Sequence, residues 1–172
     1  MTASTEECDN GRRRLIVLRH AKSSWRDESL HDHARPLNAR GRRDAPRIAR
    51  AIVEAGWAPD LVLSSDSTRT TETWALMGSI LGGQVRFLPD LYLASAAGML
   101  RILAAQGDSH HTVALLAHNP GCETLVAGLS DTDHRFTTCN AALLEARVDG
   151  WQETGKTSWE LVALIRPRDL PR

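Results

Sequence analysis

No apolar run in the 172 residues approaches the roughly 20 needed to cross a bilayer, so no membrane-spanning helix is expected. Charge of one sign is not in excess either. Lys+Arg and Asp+Glu balance at 21 each, which leaves no global field to draw the chain to nucleic acid or an anionic membrane. Any anion site must be local. Cysteine is scarce: Cys8, Cys122 and Cys139 are odd in number and lack C-x-x-C spacing, which argues against a disulfide framework or a zinc ribbon and for reduced structural thiols. The tryptophans (Trp25, Trp57, Trp74, Trp151, Trp159) are scattered rather than interleaved with a basic stripe, a second argument against nucleic acid. Internal repeats, low-complexity tracts and long linkers are absent. The opening "MTASTEECDNGRRR" carries charges with no apolar segment behind them, unlike a secretory signal, and the cytoplasm is the expected compartment. Residues 1–13 read as a flexible polar lead-in, with Arg12-Arg13-Arg14 a solvated flank of the first strand.

What is present suits a globular protein with one core. The chain is 42% hydrophobic and 24% charged, and its length allows one sizeable core rather than two. A single domain over residues 14–168 is expected. Leu15 to Arg19 reads as a short buried strand, followed by an irregular stretch in which the Arg35-Pro36 step discourages helix. "NARGRRDAPRIARAIVEAG" predicts a helix with Ile48, Ala49, Ile52 and Val53 on one face, Pro46 in its first turn and Gly56 as its stop. "PDLVLSS" predicts a second strand and roughly 67–81 a helix; "VRFL" a third strand, "SAAGMLRILAAQ" a helix, "HTVALLAH" a fourth strand and "GCETLVAGLS" a helix. "AALLEARV" and "WELVALIR" suggest an antiparallel pair at one edge. Alternating strands and helices imply a three-layer α/β/α domain with a mostly parallel central sheet and an antiparallel edge. Ligands of such sheets sit beyond the carboxyl ends of the strands.

Those ends are where the chemistry gathers. The apolar strands stop at Arg19-His20, at Ser64-Ser65 with Arg69 just beyond, and at His118-Asn119. If the three strands are parallel neighbours, two histidines and at least two arginines converge, and Arg35 can reach the same crevice. Guanidinium pairs match the oxygens of a phosphate, and an imidazole among them serves as nucleophile or proton carrier. No carboxylate cluster accompanies them to hold a metal. Each residue alone has a plainer reading: a strand-end histidine can bind a carbonyl, and Arg69 can be an ordinary first-turn residue in a place where a cation opposes the helix dipole. An anion between Arg69 and that helix terminus would resolve the conflict. One shared ligand explains three strand ends more simply than three coincidences.

The segments "LRHAKSSW", "RPLNARG", "PDLVLSSDSTRTTET" and "LLAHNPG", in that order, resemble the histidine phosphatase superfamily, and within it the small phosphohistidine phosphatases of the SixA type. The resemblance implies a phosphatase that needs no metal or cofactor. His20 would attack phosphorus and become transiently phosphorylated; Arg19, Arg69 and His118 would bind the phosphoryl oxygens and stabilise the transition state; Arg35 and Asn119 would line the substrate pocket. A neutral His20 requires its other ring nitrogen to donate to an acceptor. Ala21 replaces the superfamily's common glycine, and its methyl is expected to narrow the space beside the nucleophile. Asp90, after the third strand, is either a proton donor or a surface residue of the turn at Pro89. Without an acid, good leaving groups such as phosphohistidine are favoured over alkoxides. His31-Asp32-His33 and His110-His111 lack the spacing of a zinc motif and read as exposed loop residues. Ser23, Ser24 and Trp25 either shape the pocket mouth or, in the case of Trp25, cover the edge of the core.

The expected partner is a phosphohistidine-bearing protein, because short connections between strands leave little room for a cap. A small phosphoester is the nearest alternative, and a non-catalytic phosphate-binding module a third. Neither nucleic acid nor membrane is expected as a partner.

Overall fold

The computed structural model describes residues 11–171. The first ten residues of the expected lead-in, with Cys8, lie outside the described residues. Short, largely apolar segments build one six-stranded sheet from β1 (Arg12–Arg19), β2 (Leu61–Ser64), β3 (Gln84–Phe87), β4 (Thr112–Ala117), β5 (Ala141–Arg147) and β6 (Glu160–Ile165), in the order β3-β2-β4-β1-β5-β6. The first four run parallel; β5 is antiparallel to β1, and β6 to β5.

Successive residues of a strand face opposite sides, and both sides are covered. Leu15, Val17, Leu61, Leu63, Val113 and Leu115 pack beneath helices α3 (Ala96–Ala104) and α4 (Gly121–Ser130), together with Trp151 and Trp159. Ile16, Leu18, Val62, Ala114 and Leu116 pack beneath α1 (Ala39–Glu54) and α2 (Thr68–Leu81). The six side chains under α3 and α4 are fully buried, each worth about 1.5–3 kcal/mol of transfer free energy. This is the expected three-layer domain with its antiparallel edge.

Three local expectations are corrected. Arg12 and Arg13 belong to β1, because main-chain pairing with Arg147 and Ala146 extends the ladder without regard to side-chain polarity. Arg13 is buried rather than solvated, donating to the carbonyls of Asp108, His110 and Asp149 at 2.7–3.0 Å. Pro46 lies in the body of α1, not its first turn: the Asn38 side chain accepts from Gly41 N at 2.9 Å and starts the helix earlier. The buried face of Ala45, Ile48, Ala49 and Ile52 offsets the lost helical bond, whereas Val53 is turned outward, 38% exposed.

Two contacts place α1 against the loop that follows β1. Asn38 N donates to Lys22 O at 2.9 Å, and Ser24 N to Pro36 O at 2.8 Å, so residues 22–24 run antiparallel to 36–38. A side chain at Gly41 would collide with the Lys22 carbonyl and approach Lys22 N to 2.9 Å. Only glycine lets the helix sit this close, two residues past His20.

Candidate active site

Because β1, β2 and β4 are parallel neighbours, with Arg19 level with Ala117 and Ser64 with Leu116, their carboxyl ends share one edge. Arg19, His20, Arg35, Arg69, His118 and Asn119, all singled out from the sequence, line one crevice of about 330 Å³ there. The guanidiniums of Arg35 and Arg69 and both imidazoles are buried, so they act at low dielectric, where their fields are strong.

His20 Nδ1 lies 2.7 Å from Ala21 O. A carbonyl only accepts, so Nδ1 carries the proton and Nε2 keeps its lone pair. Burial pushes the His20 pKa from its ordinary 6.5 down to about 3, with Arg69, Arg19 and Arg35 contributing. His118, its ring centroid 5.1 Å away, is lowered to about 3 by burial first and then by His20. Arg69 Nη2 donates to His118 Nδ1 at 3.2 Å, so the proton of neutral His118 resides on Nε2, 2.9 Å from Ser65 Oγ. Two neutral imidazoles thus sit inside a ring of cations.

Arg35 and Arg69 are held by one carboxylate that sequence reasoning left on the surface. Asp32 accepts from Arg35 Nη1 at 2.8 Å, Arg69 Nη2 at 3.0 Å and the Tyr92 hydroxyl at 2.6 Å, and its carbonyl accepts from Arg69 Nη1 at 2.6 Å. The Tyr92 hydroxyl first, helped by Arg35 and Arg69, holds the Asp32 carboxyl well below the usual carboxylate range. Arg69 in the first turn of α2 is therefore offset by Asp32. Arg35 further donates to Ser23 Oγ at 2.8 Å and Ser24 O at 3.0 Å, and lies flat over Trp25, 3.2 Å from the ring centroid. The one usable signal in the sequence is Arg35 itself, which follows Asp32 by three residues. Tyr92, the one tyrosine of the chain, follows the strand after which an acid was sought.

Other expectations fare differently. Asp90 is exposed on a 3-10 turn (Pro89–Leu91) and is not among the residues that line the crevice. Ala21 is fully buried among the side chains beneath α1 and α2 and is likewise absent from the lining; its methyl fills core rather than crowding the nucleophile. Asn119 lines the crevice, but its amide donates to Phe136 O at 2.8 Å and Glu123 Oε2 at 3.2 Å, tying down the loop before β5. Arg19 Nη1 donates to the same Phe136 carbonyl at 2.8 Å, while Arg19 Nε and Asn119 Oδ1, both shielded, have no protein partner. His33 pairs with Asp66 at 2.9 Å, and the His110 carbonyl serves Arg13 and Trp151. Cys122 and Cys139 are buried thiols, and burial pushes Cys122 up to about 12. Trp25, 69% exposed, and Leu93, 55% exposed, line the crevice at its mouth. No helix among the described residues is long and apolar enough to cross a membrane.

Comparison with known proteins agrees with this arrangement. Residues 15–92 match the family described as Histidine phosphatase superfamily (branch 1). An uncharacterized chloroplastic protein of Arabidopsis thaliana is 39% identical over 170 residues, covering 90% of this chain and 78% of that protein. Among solved structures, a protein proposed to be the phosphohistidine phosphatase SixA of Nakamurella multipartitia superposes with a TM-score of 0.82 at 26% identity, covering 91% of this chain and 97% of its own. A second such SixA protein, from Agrobacterium tumefaciens, gives 0.78 at 28% identity, covering 90% and 98%.

Proposed function

Since this chain belongs to the histidine phosphatase superfamily and is SixA-like within it, we propose that it is a metal-independent phosphatase that removes phosphate from phosphohistidine on a protein, through a phosphohistidine intermediate at His20. The observation that carries this reading is the 2.7 Å contact of His20 Nδ1 with Ala21 O. It leaves an unprotonated Nε2 among three guanidiniums, which is the state a nucleophile needs.

In the first step the Nε2 lone pair attacks phosphorus, the new P–N bond forms, and the substrate's P–N bond breaks with its electron pair passing to the leaving imidazole. Arg19, Arg69 and His118, with Arg35 lining the pocket, receive the equatorial oxygens, and the guanidinium charge stabilises the transition state more than the ground state. That charge stands where a metal would otherwise be needed. In the second step water attacks phosphorus, the His20 Nε2–P bond breaks with its electron pair returning to Nε2, and the water's protons depart with inorganic phosphate, which leaves His20 neutral. With Asp90 outside the crevice, no carboxylic acid from that position protonates the leaving atom. The asymmetry favours phosphoramidates, which leave readily, over alkoxides. The protein substrate is supported by the crevice mouth, where Trp25 and Leu93 offer exposed apolar surface of the sort that interfaces bury.

The test is hydrolysis of p-nitrophenyl phosphate and of a phosphohistidine peptide by wild type and His20→Ala in excess EDTA. Turnover that survives the chelator and disappears in the variant is expected, with the phosphohistidine peptide preferred. Turnover that needs an added metal, or persists in His20→Ala, overturns the mechanism. A preference for the ester would move the substrate to small phosphoesters.

A further inference from the structure

The catalytic crevice is not an isolated pit. Lys22, Ser23 and Trp25 line both it and an adjoining trough of about 650 Å³ that runs past Arg26 and Pro36 to Arg40. Arg40 in turn belongs to a second basin of similar size, between α1 and the C-terminal segment, with Arg43, Arg47 and Arg168. Three adjoining hollows, which share these residues, thus lie in a row, a track from His20 along the first turns of α1.

Its charge is one-sided. Outside the crevice, Lys22, Arg26, Arg40, Arg43, Arg47 and Arg168 line it and Asp44 is the one lining carboxylate; inside the crevice, Asp32 is taken up by Arg35 and Arg69. Asp44 is buried and already shared by Arg40 at 3.3 Å, Arg47 at 3.2 Å and Arg43 at 3.6 Å, so it cannot neutralise them all. Arg47 is further occupied with the carbonyls of Pro167, Leu170 and Pro171. Arg42, by contrast, pairs with Glu72 at 3.1 Å and stands outside the track. Asp27 and Glu28 follow Arg26 but do not line it. Arg168 lies 3.5 Å from Asp169, a carboxylate half in solvent that it shares with Arg166, and Arg40, Arg43 and Arg168 keep 55%, 66% and 70% of their side chains in solvent. A chain with no net charge has concentrated cations beside its active site.

We propose that this track docks an acidic segment of the phosphoprotein substrate, its carboxylates meeting Arg40, Arg43 and Arg168 while the phosphoresidue enters the crevice past Trp25. The inference rests on the phosphohistidine reading and adds the partner's chemistry to it. A peptide is favoured over nucleic acid because base stacking needs aromatic platforms. Trp25 is the one aromatic lining the track, and the Arg35 guanidinium covers one face of its ring. Fixed complementary charge at such a rim raises the capture rate and sets the partner more than it adds affinity.

The experiment uses the full chain and the double variant Arg43→Glu/Arg168→Glu, both sites exposed and outside the catalytic crevice. Three substrates are compared: p-nitrophenyl phosphate, a phosphohistidine peptide with a run of glutamates on one side, and the same peptide with serines in their place. The expected result is a fall of roughly tenfold in kcat/KM for the acidic peptide alone, carried by KM. The difference should vanish in about 1 M NaCl, where the screening length is about 3 Å. Equal kcat/KM of wild type and variant on the acidic peptide overturns the docking track, as does single-stranded DNA inhibiting wild type more strongly than a free polyglutamate peptide. Failure of wild type on p-nitrophenyl phosphate and both peptides would instead fall on the phosphatase reading.

Discussion

The two buried neutral imidazoles should make this protein lose stability on mild acidification. His20, 6% exposed, has its pKa lowered from 6.5 to about 3, and His118, 1% exposed, likewise. Between those values the unfolded chain binds protons that the folded chain refuses. Stability therefore falls as pH drops through that window and is regained as it rises. Each pH unit within it costs about 1.4 kcal/mol per histidine, so going from about pH 6.5 to about pH 5 removes roughly 2 kcal/mol through His20 and a comparable amount through His118. Asp32, held below the ordinary carboxylate range, keeps its contribution throughout this interval and surrenders it only in stronger acid. Urea melts of wild type and His20→Asn at the two pH values measure the effect; the Asn amide keeps a donor for the Ala21 carbonyl but cannot titrate. The variant should lose at most half as much stability as wild type, because removing His20 also relieves part of the depression on His118. A wild type that loses no more than the variant would refute the reasoning, and with it the neutrality of the nucleophile in the free enzyme.

Gly41→Ala should unfold more readily and lose activity together, since the added methyl meets the Lys22 backbone and overpacking of this sort costs about 1–3 kcal/mol; thermal melts and p-nitrophenyl phosphate turnover report both. Ser65→Ala removes the partner of His118 Nε2–H and leaves a buried donor unpaired, at about 1–3 kcal/mol. It should lower kcat on the order of tenfold or more through a misaligned His118 ring, whose tautomer Arg69 still sets; an unchanged kcat would show that Ser65 does not orient the ring.

Sequence alone made the sheet legible because apolar runs such as Leu15–Leu18 and Val113–Ala117 end abruptly in polar residues, and a parallel sheet gathers such ends at one edge. His20, Arg19, Arg35, Arg69, His118 and Asn119 followed from that rule plus the resemblance. What stayed hidden depended on side-chain partners distant in sequence. Asp32 looks like surface until Arg69 and Tyr92 are brought to it from two other elements. Arg13 looks solvated until three loop carbonyls close around it. Ala21 seemed to crowd the nucleophile because adjacency in sequence was taken for adjacency in space, yet neighbouring residues at a strand end can face opposite ways. Pro46 misled because a proline is compatible with a first turn, and only the Asn38 cap fixes where α1 begins.

The sheet order has a consequence for how the protein is made. The strand carrying Arg19 and His20 is the first in the chain, but both its neighbours, β4 and β5, come late, from residues 112–117 and 141–147. On a nascent chain, β1 must wait without its ladder while most of the polypeptide is synthesised. Pairing of such distant segments is slow, and waiting hydrophobic strands are open to association. His20 is thus synthesised well before the two strands that fix the position of β1. Chains cut short before β5 would carry all four parallel strands and the crevice residues through His118, but leave one edge of β1 unpaired.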